Sequence, residues 1–513
     1  MAEEPDETPI DPSPPPVESP RNWHIRRLVS YGFLLLWIAV GAWNVYKPMP
    51  NGTRVRGDVV ATPLNQLHFL TDLTGADVFG TPIVDQQIFD AVLRVIGEAR
   101  QYVVVDFFLF NAQRGAALDT PPRRELSAQL RDALLARKQA IPGLQVLVIS
   151  DPINDVYGSL PSPELAALRT AGIDVISVDL DALRDSNPIY SAFWRLTMKW
   201  WSGDGRGEGW LPNPLDAGPD QVSFGAWARL LNFKADHRKV LIADDGMNGI
   251  TGVVTSANPH DASSSHSNVA LHFSGPALLP LLESELALAR EAGWDSQWQP
   301  PPPAPSPPVA NPAEAAQVQV LTEGEIGAAI VRNFTSTRVG DSIDVAMFYL
   351  SERNVIEALI SAAKRGVAVR VILDPNKDAF GRTKNGIPNR SVATELAGAS
   401  DGAIKLRWFR THGEQFHTKL VAIRTQDEYW FTLGSANLTR RNLENYNLEA
   451  NVAVSVPPTS DLAAKIGAWY EMIWSNHGPP DLEYTADFGA YADPSQGTYW
   501  LYRFMEATGL STF

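Results

Sequence analysis

The sequence predicts an α/β protein. It reads as two similar α/β domains with mixed, mainly parallel sheets flanked by helices, set in a pseudo-twofold arrangement behind one N-terminal transmembrane helix. Three observations carry this reading. The chain repeats itself, strand-like apolar runs alternate with helical patterns in each copy, and one uncharged run near the N-terminus is long enough to cross a bilayer.

Residues 1–27 form an acidic, Pro-rich leader, with Glu3, Glu4, Asp6, Glu7 and the run Pro14–Pro16, and disorder is expected there. The uncharged stretch 28–46 follows. At about 1.5 Å per residue it spans roughly 28 Å, one bilayer core. Arg21, Arg26 and Arg27 precede it, while Lys47, Arg54 and Arg56 follow. The nearer basic flank predicts a single-pass anchor in the cell membrane, with the N-terminus inside and the rest of the chain extracytoplasmic. A cleaved signal peptide ending near Val40-Gly41-Ala42 is the competing reading, and a buried core helix a third.

A Pro-rich linker at 299–314 divides the remainder into a first domain, 57–298, and a second, 315–480, with a C-terminal extension at 481–513. Each half opens on an apolar run holding one aspartate, Val103–Phe110 with Asp106 and Ile343–Leu350 with Asp344. A helical pattern follows in each, with Leu126, Leu130 and Leu134 on one face in the first and Val355, Leu359 and Ala363 in the second. A second strand ends in Asp151-Pro152 and in Asp374-Pro375. His237-Arg238-Lys239 then aligns with His417-Thr418-Lys419, Ser256-Ala257-Asn258 with Ser435-Ala436-Asn437, and Asn268-Val269-Ala270 with Asn451-Val452-Ala453. Between corresponding aspartate and histidine the first half is longer by about 58 residues. The insert lies near 183–230 and carries Trp194, Trp200, Trp201, Trp210 and Trp227. Its aromatics suggest either a lid that touches lipid or a satellite core patch. The aromatic C-terminal extension is expected to pack over the cleft or to form a short amphipathic tail near Leu501–Phe504.

Composition narrows the function. The chain has 513 residues, 43 Lys+Arg against 58 Asp+Glu, and a net charge of −15. With 44% hydrophobic residues it can bury a large core. The acid excess disfavours charge-driven nucleic-acid binding. There is no cysteine, which excludes thiolate nucleophiles and zinc–cysteine or iron–sulfur sites. Covalent catalysis must use another group.

One His-x-Lys carries no weight, but two at matching places in a repeat do. On a strand, positions i and i+2 face one side, so His237 points with Lys239 and His417 with Lys419. Asn258, Asn437, Ser256 and Ser435 fall on neighbouring strand ends. This set suits phosphodiester chemistry: one imidazole attacks phosphorus, the other protonates the departing alkoxide and then deprotonates the acceptor. Lysines and asparagines hold the nonbridging oxygens as charge builds. No metal or other cofactor is expected.

These motifs resemble those of the phospholipase D superfamily, whose duplicated signature is H-x-K-x4-D with a downstream G/S-x-N; the resemblance covers about 60–480. His237, Lys239 and Asp244 complete the first copy, with Asp244 in a supporting role. In the second, Arg424 stands where Asp is expected. Glu449 resembles the family's histidine-orienting carboxylate, whereas the first half offers only His266 or Asn268 there, with Asp261 the nearest acid. A carboxylate on the same half favours His417 as nucleophile, although family lipases are described with the first-motif histidine in that role.

The resemblance, together with an anchor, implies a phospholipase D-like phosphodiesterase acting on phospholipid in a bilayer, with water or an alcohol as acceptor. The alternatives are a cardiolipin synthase-type phosphatidyltransferase, a membrane-anchored nuclease, and a scaffold with a dead site. Trp200, Trp201 and Arg382 are the candidate substrate contacts, Arg382 from a basic loop with Lys377, Lys384 and Arg390. A monomer with an internal pseudo-dimer is expected, and nucleic acid is not a favoured partner.

Overall fold

The computed structural model describes residues 20–77, 82–116, 123–202, 205–206, 209–302, 314–379, 382–478 and 482–513. Most of the leader and most of the Pro-rich linker therefore lie outside the described residues, as do 203–204 and 207–208 of the insert.

Two mixed sheets form the molecule. The first runs in the order Pro82–Gln86, Leu67–Ala76, Asn268–Ser274, Ile250–Thr255, Lys239–Asp244, Tyr102–Phe107, Gln145–Ser150, Asp174–Ser177. The second runs Val60–Pro63, Ala315–Thr322, Ala450–Val456, Tyr429–Gly434, Lys419–Arg424, Ser342–Met347, Ala368–Leu373, Lys405–Phe409, Thr485–Asp487. The expected mainly parallel pairing needs correction. Only Tyr102–Phe107 with Gln145–Ser150, Gln145–Ser150 with Asp174–Ser177, and their counterparts in the second sheet are parallel. Helices cross over between those strands, as between Gln145 and Tyr102 where Leu126–Ala140 intervenes. Past each His-x-Lys the chain instead turns back through short loops, at 245–249 and 425–428, which can only make antiparallel neighbours.

The sheets pack face to face, so their strands are covered on both sides and read as continuous apolar runs. Val254, Leu271 and Phe273 of the first sheet share one buried core with Phe431, Leu433 and Val452 of the second. Helices cover the outer faces: Leu126, Leu130 and Leu134 are buried in one outer core, and Val355, Leu359 and Ala363 in the other.

The domain limits cross over in space. Val60–Pro63, expected in the first domain, pairs antiparallel with Ala315–Thr322 of the second, and Thr485–Asp487 of the C-terminal extension adds an edge strand there. The repeat also shifts by two residues in two places. Asp106 lies opposite Val240 but Asp344 lies opposite Ala422, so the two aspartates are not equivalent. Likewise Ser256 N donates to Val269 O and Ser435 N to Ala450 O, which makes Asn268 the counterpart of Glu449 rather than of Asn451.

The N-terminal helix spans Pro20–Tyr46, beginning inside the stretch expected to be leader. Its segment Trp23–Tyr46 is long and apolar enough to cross a membrane, by length and composition. The insert folds into the helices Pro188–Leu196 and Phe224–Leu230, with Leu211–Pro212 paired antiparallel to Gln221–Val222 between them, and Trp194 is buried in it. The C-terminal helix Gln496–Thr508 buries Tyr502 and leaves Trp500, Leu501 and Phe504 exposed.

Candidate active site

Each His-x-Lys sits where an irregular segment enters a strand, Lys239–Asp244 or Lys419–Arg424. The residue before that entry is held by the Asp-Pro step of the same half. Asp151 accepts from the backbone N–H of Asp236 at 2.7 Å, and Asp374 accepts from that of Phe416 at 2.8 Å. The other half holds it too: His237 N donates to Leu448 O at 2.9 Å, and Ser267 N donates to Gln415 O at 3.0 Å. These reciprocal bonds join the halves edge to edge at the two histidines.

Both histidines line one cavity of about 690 Å³. Asn258 and Asn437 line it as well, and Asn437 Oδ1 is buried without a partner. Lys239 Nζ donates to His237 O at 2.7 Å, and Lys419 Nζ to His417 O at 3.0 Å. Phe108 and Phe348 sit beside the two imidazoles, with ring centroids 4.9 and 5.0 Å away. Sequence reading missed this aromatic pair, although the two residues directly follow the matching strands Tyr102–Phe107 and Ser342–Met347. It also missed the role of the Asp-Pro steps, which it saw only as repeat marks.

The two histidines differ in what orients them. Glu449, fully buried, approaches Nδ1 of His237 with its two oxygens at 2.9 and 3.0 Å. The carboxylate also accepts from Ser435 Oγ and Asn442 Nδ2. His417 Nδ1 instead meets the amide oxygen of Asn268 at 3.1 Å, and Ser256 Oγ donates to that oxygen at 3.0 Å. The carboxylate expected to serve His417 therefore serves the histidine of the other half, which removes the one physical ground that favoured His417. Asp261, the nearest acid of the first half, accepts from Ser127 rather than from a catalytic group.

Burial dominates the electrostatics. It pushes His237 down to about 4, against the pull of Glu449, and pushes His417 well below the usual imidazole range, with Lys419, His266 and Lys239 adding to the effect. Lys239 falls to about 8, and Lys419 is driven well below its ordinary value by burial and by Lys239. A site built this way holds neutral imidazoles and gains from an arriving anion.

Beneath the site, on the other face of the strand, Arg238 is fully buried. It donates to Glu285 at 3.0 Å, to Glu323 at 2.8 Å and to the backbone oxygen of Thr53 at 2.9 Å. Asp106 and Asp236 lie in the same cluster, Asp236 beside Asp106 and the Arg238 backbone, and Asp106 beside Glu285. Burial pushes Asp236 up to about 7 and Asp106 well above the carboxylate range, with the charges of Asp236 and Glu285 adding to the rise at Asp106. Glu323 Oε1 also accepts from Glu449 N at 3.2 Å, which links the cluster to the carboxylate that orients His237.

Asp244 lies at the far end of its strand and accepts from the backbone N–H groups of Arg100, Gln101, Tyr102 and Gly246, a structural role. Arg424, in its place in the second half, donates to Pro458 O. Arg382 lines the cavity, but Trp200 and Trp201 do not, contrary to their reading as substrate contacts. The insert contributes Trp227, Leu230 and Leu231 to the wall instead, and the C-terminal end contributes Phe513. No Asp or Glu lines the cavity among the described residues, whereas Lys234, Arg382, Lys384 and Arg441 do.

Residues 330–474 match the family described as cardiolipin synthase, phospholipase D-like domain. No curated protein matches the chain. Among solved structures, the phosphatidylserine synthase of Haemophilus influenzae Rd KW20 is 12% identical with a TM-score of 0.53, covering 88% of this chain and 94% of that one. A phospholipase D family member, Nuc from Salmonella typhimurium, is 22% identical with a TM-score of 0.27, covering 35% of this chain and 99% of that one.

Proposed function

We propose, from the match of residues 330–474 to the phospholipase D-like domain family and the paired His-x-Lys site, that this chain is a membrane-anchored phosphodiesterase of the phospholipase D superfamily that cleaves or exchanges phospholipid headgroups through a phosphohistidine on His237. The pairing of Glu449 with Nδ1 of His237 carries the assignment. It places the proton on Nδ1 and leaves Nε2 with a lone pair for phosphorus, while the carboxylate stabilises the positive charge that forms on the ring. As the P–N bond forms, the P–O bond to the headgroup alcohol breaks and His417 Nε2–H gives its proton to that alkoxide. In the second step water or an alcohol attacks phosphorus, His417 takes its proton, and the P–N bond breaks to restore His237. Lys239, Lys419, Asn258 and Asn437 hold the nonbridging oxygens, and the Ser256 and Ser435 hydroxyls fix the groups that orient the imidazoles.

The cavity walls support a lipid substrate. Ile153, Tyr157, Leu215, Trp227 and Leu230 offer an apolar side, and the basic residues a polar one. With no carboxylate along it, this polar side favours an anionic headgroup or acceptor, which supports headgroup transfer of the cardiolipin synthase type as the second reading. The apolar wall and the −15 charge count against a nuclease. Retention of the N-terminal helix as an anchor is supported by its bonds to the insert: Asp185 N donates to Asn44 O at 2.9 Å and Arg184 Nε to Lys47 O at 2.7 Å. The basic flank supports an N-terminus inside and an extracytoplasmic site, and the internal pseudo-dimer makes a monomer sufficient.

The test is turnover of headgroup-labelled vesicles and of single-stranded DNA, with intact-mass analysis of the protein. His417→Ala should trap an acid-labile phosphatidyl adduct that His237→Ala does not form. An adduct on His237→Ala, or cleavage of DNA alone, would overturn the reading.

A further inference from the structure

We propose that the helix Pro188–Leu196 and the aromatic turn after it sit in the membrane interface beside the anchor, as a second, non-spanning contact that sets the mouth of the cavity at the bilayer surface. The proposal rests on the N-terminal helix being a retained anchor, and deepens that reading by naming what the exposed insert touches.

Length comes first. The candidate span Trp23–Tyr46 has 24 residues, about 36 Å of helix against a hydrocarbon core of about 30 Å. Even if all the excess projects on the side of the catalytic halves, the core reaches to about Ala42. The insert helix docks within that reach. Trp37 Nε1 donates to Ile189 O at 3.1 Å, and a Cβ placed on Gly41 would lie 3.6 Å from the Ala192 Cβ. A small residue where two helices touch is what close helix contact in lipid uses. The depth of the anchor therefore fixes the depth of the insert helix.

The side chains agree with that depth. Ile189 and Phe193 are one helical turn apart on the same face, and both are exposed. Trp200 is 79% exposed, Trp201 66% and Trp210 69%, and tryptophan is enriched at membrane interfaces. In water this cluster is an uncovered apolar patch; in the interface it is solvated. The cations beside it are satisfied on the protein side, Arg195 by Asp185 at 2.9 Å and Lys199 by Asp181 at 2.8 Å, so the patch itself offers hydrocarbon rather than charge. A chain of net charge −15 gains little from an anionic surface, which leaves apolar contact as the attraction. The same insert supplies Trp227, Leu230 and Leu231 to the cavity wall, so one segment carries both the proposed interface contact and part of the apolar wall around the site.

The absence of cysteine makes the test direct. Phe33→Cys, Phe193→Cys, Trp200→Cys and Met247→Cys are each labelled with an environment-sensitive dye in the full chain. Each is reconstituted in phosphatidylcholine vesicles whose acyl chains carry bromine at different depths. Phe33 reports the anchor. Met247, 80% exposed in the turn at the far end of Lys239–Asp244, reports water. Deep quenching at 33, shallow quenching at 193 and 200, and none at 247 is the expected result. Quenching at 33 with none at 193 and 200 overturns this proposal and leaves the anchor standing; no quenching at 33 overturns the anchor and this proposal together. As a second readout, Phe193→Ser with Trp200→Ser should cut turnover of vesicle lipid about tenfold and leave turnover of a short-chain, water-soluble phosphodiester unchanged. Equal loss on both substrates would also overturn it.

Discussion

Glu449 of the second half holds Nδ1 of His237 in the first, at 2.9 and 3.0 Å, while His417 is held by the uncharged amide of Asn268 at 3.1 Å. Two imidazoles related by the repeat thus receive different partners, one an ion and one a dipole. Only the first is stabilised as a cation along its whole path to the phosphohistidine. Glu449→Gln keeps the shape and removes that charge. We expect kcat to fall by about 10²–10³-fold, the scale on which an orienting carboxylate acts. Asn268→Ala should cost less, about tenfold. Steady-state rates on headgroup-labelled vesicles decide it, and a larger loss for Asn268→Ala would return the nucleophile to His417.

Burial and the lysines around them keep both imidazoles neutral, with His237 down at about 4 and His417 well below the usual range. His237 needs to be neutral to attack, and it stays so well below pH 6.5. His417 must be protonated to act as an acid, and burial together with Lys419 opposes that. A phosphodiester anion in the cavity reverses the sign for His417, raising its pKa, so binding should take up a proton near neutral pH. Two consequences are measurable. The alkaline limb of kcat should lie at higher pH than that of kcat/KM. The His417 imidazole, followed by NMR in labelled enzyme, should titrate higher with a phosphodiester analogue bound. Coincident limbs and an unmoved His417 would contradict this account.

The locally encoded part of the site was legible: His237, Lys239, Asn258 and Ser256, with their counterparts, recur at spacings a strand can display. What crosses between the halves was not. His237 meets Glu449 because its own N–H pairs with Leu448 O across the pseudo-twofold axis, a contact between residues 212 apart. No periodicity within one half reports it. The parallel bias failed for a related reason. Strand–helix alternation up to the Asp-Pro steps is local and was read correctly, but the short returns after Asp244 and Arg424 make hairpins, and Gly246 and Gly249 in the first were the available signal. Val60–Pro63 could not have been assigned to the second sheet from sequence, since its partner Ala315–Thr322 lies beyond the whole first half.

The Arg238 cluster gives a stability prediction with a definite sign. Asp236 is pushed up to about 7 by burial, from an unfolded value near 3.8. A raised carboxyl contributes stability that is fully present below pH 3.8 and is lost as pH rises through 7. Asp236→Asn removes that titration. The variant should lose less stability than the parent between pH 4 and pH 8, by on the order of 2 kcal/mol, seen as a smaller fall in Tm. Arg238→Met in the same assay should destabilise by about 3–5 kcal/mol at neutral pH, because Glu285 and Glu323 lose their buried cation. An unchanged pH slope in Asp236→Asn would mean that Asp236 is ionised in the fold.

Lys384 tests the polar wall. Its Nζ lies 4.9 Å from the centre of the Tyr349 ring and close to the Tyr349 hydroxyl, and both residues line the cavity. A cation here favours a substrate or acceptor with a negative charge beyond the reacting phosphate and does nothing for a choline headgroup. Lys384→Ala should therefore raise KM for an anionic alcohol acceptor, such as a phosphatidylglycerol headgroup, by about tenfold, the order of one partly buried charge pair. Hydrolysis of a zwitterionic lipid should keep its kcat, since the histidines and catalytic lysines are untouched. The effect on the anionic acceptor should shrink as salt rises toward 1 M, where the screening length falls to about 3 Å. Equal losses on both lipids, independent of salt, would show that Lys384 supports the cavity through its packing on Tyr349 rather than through its charge.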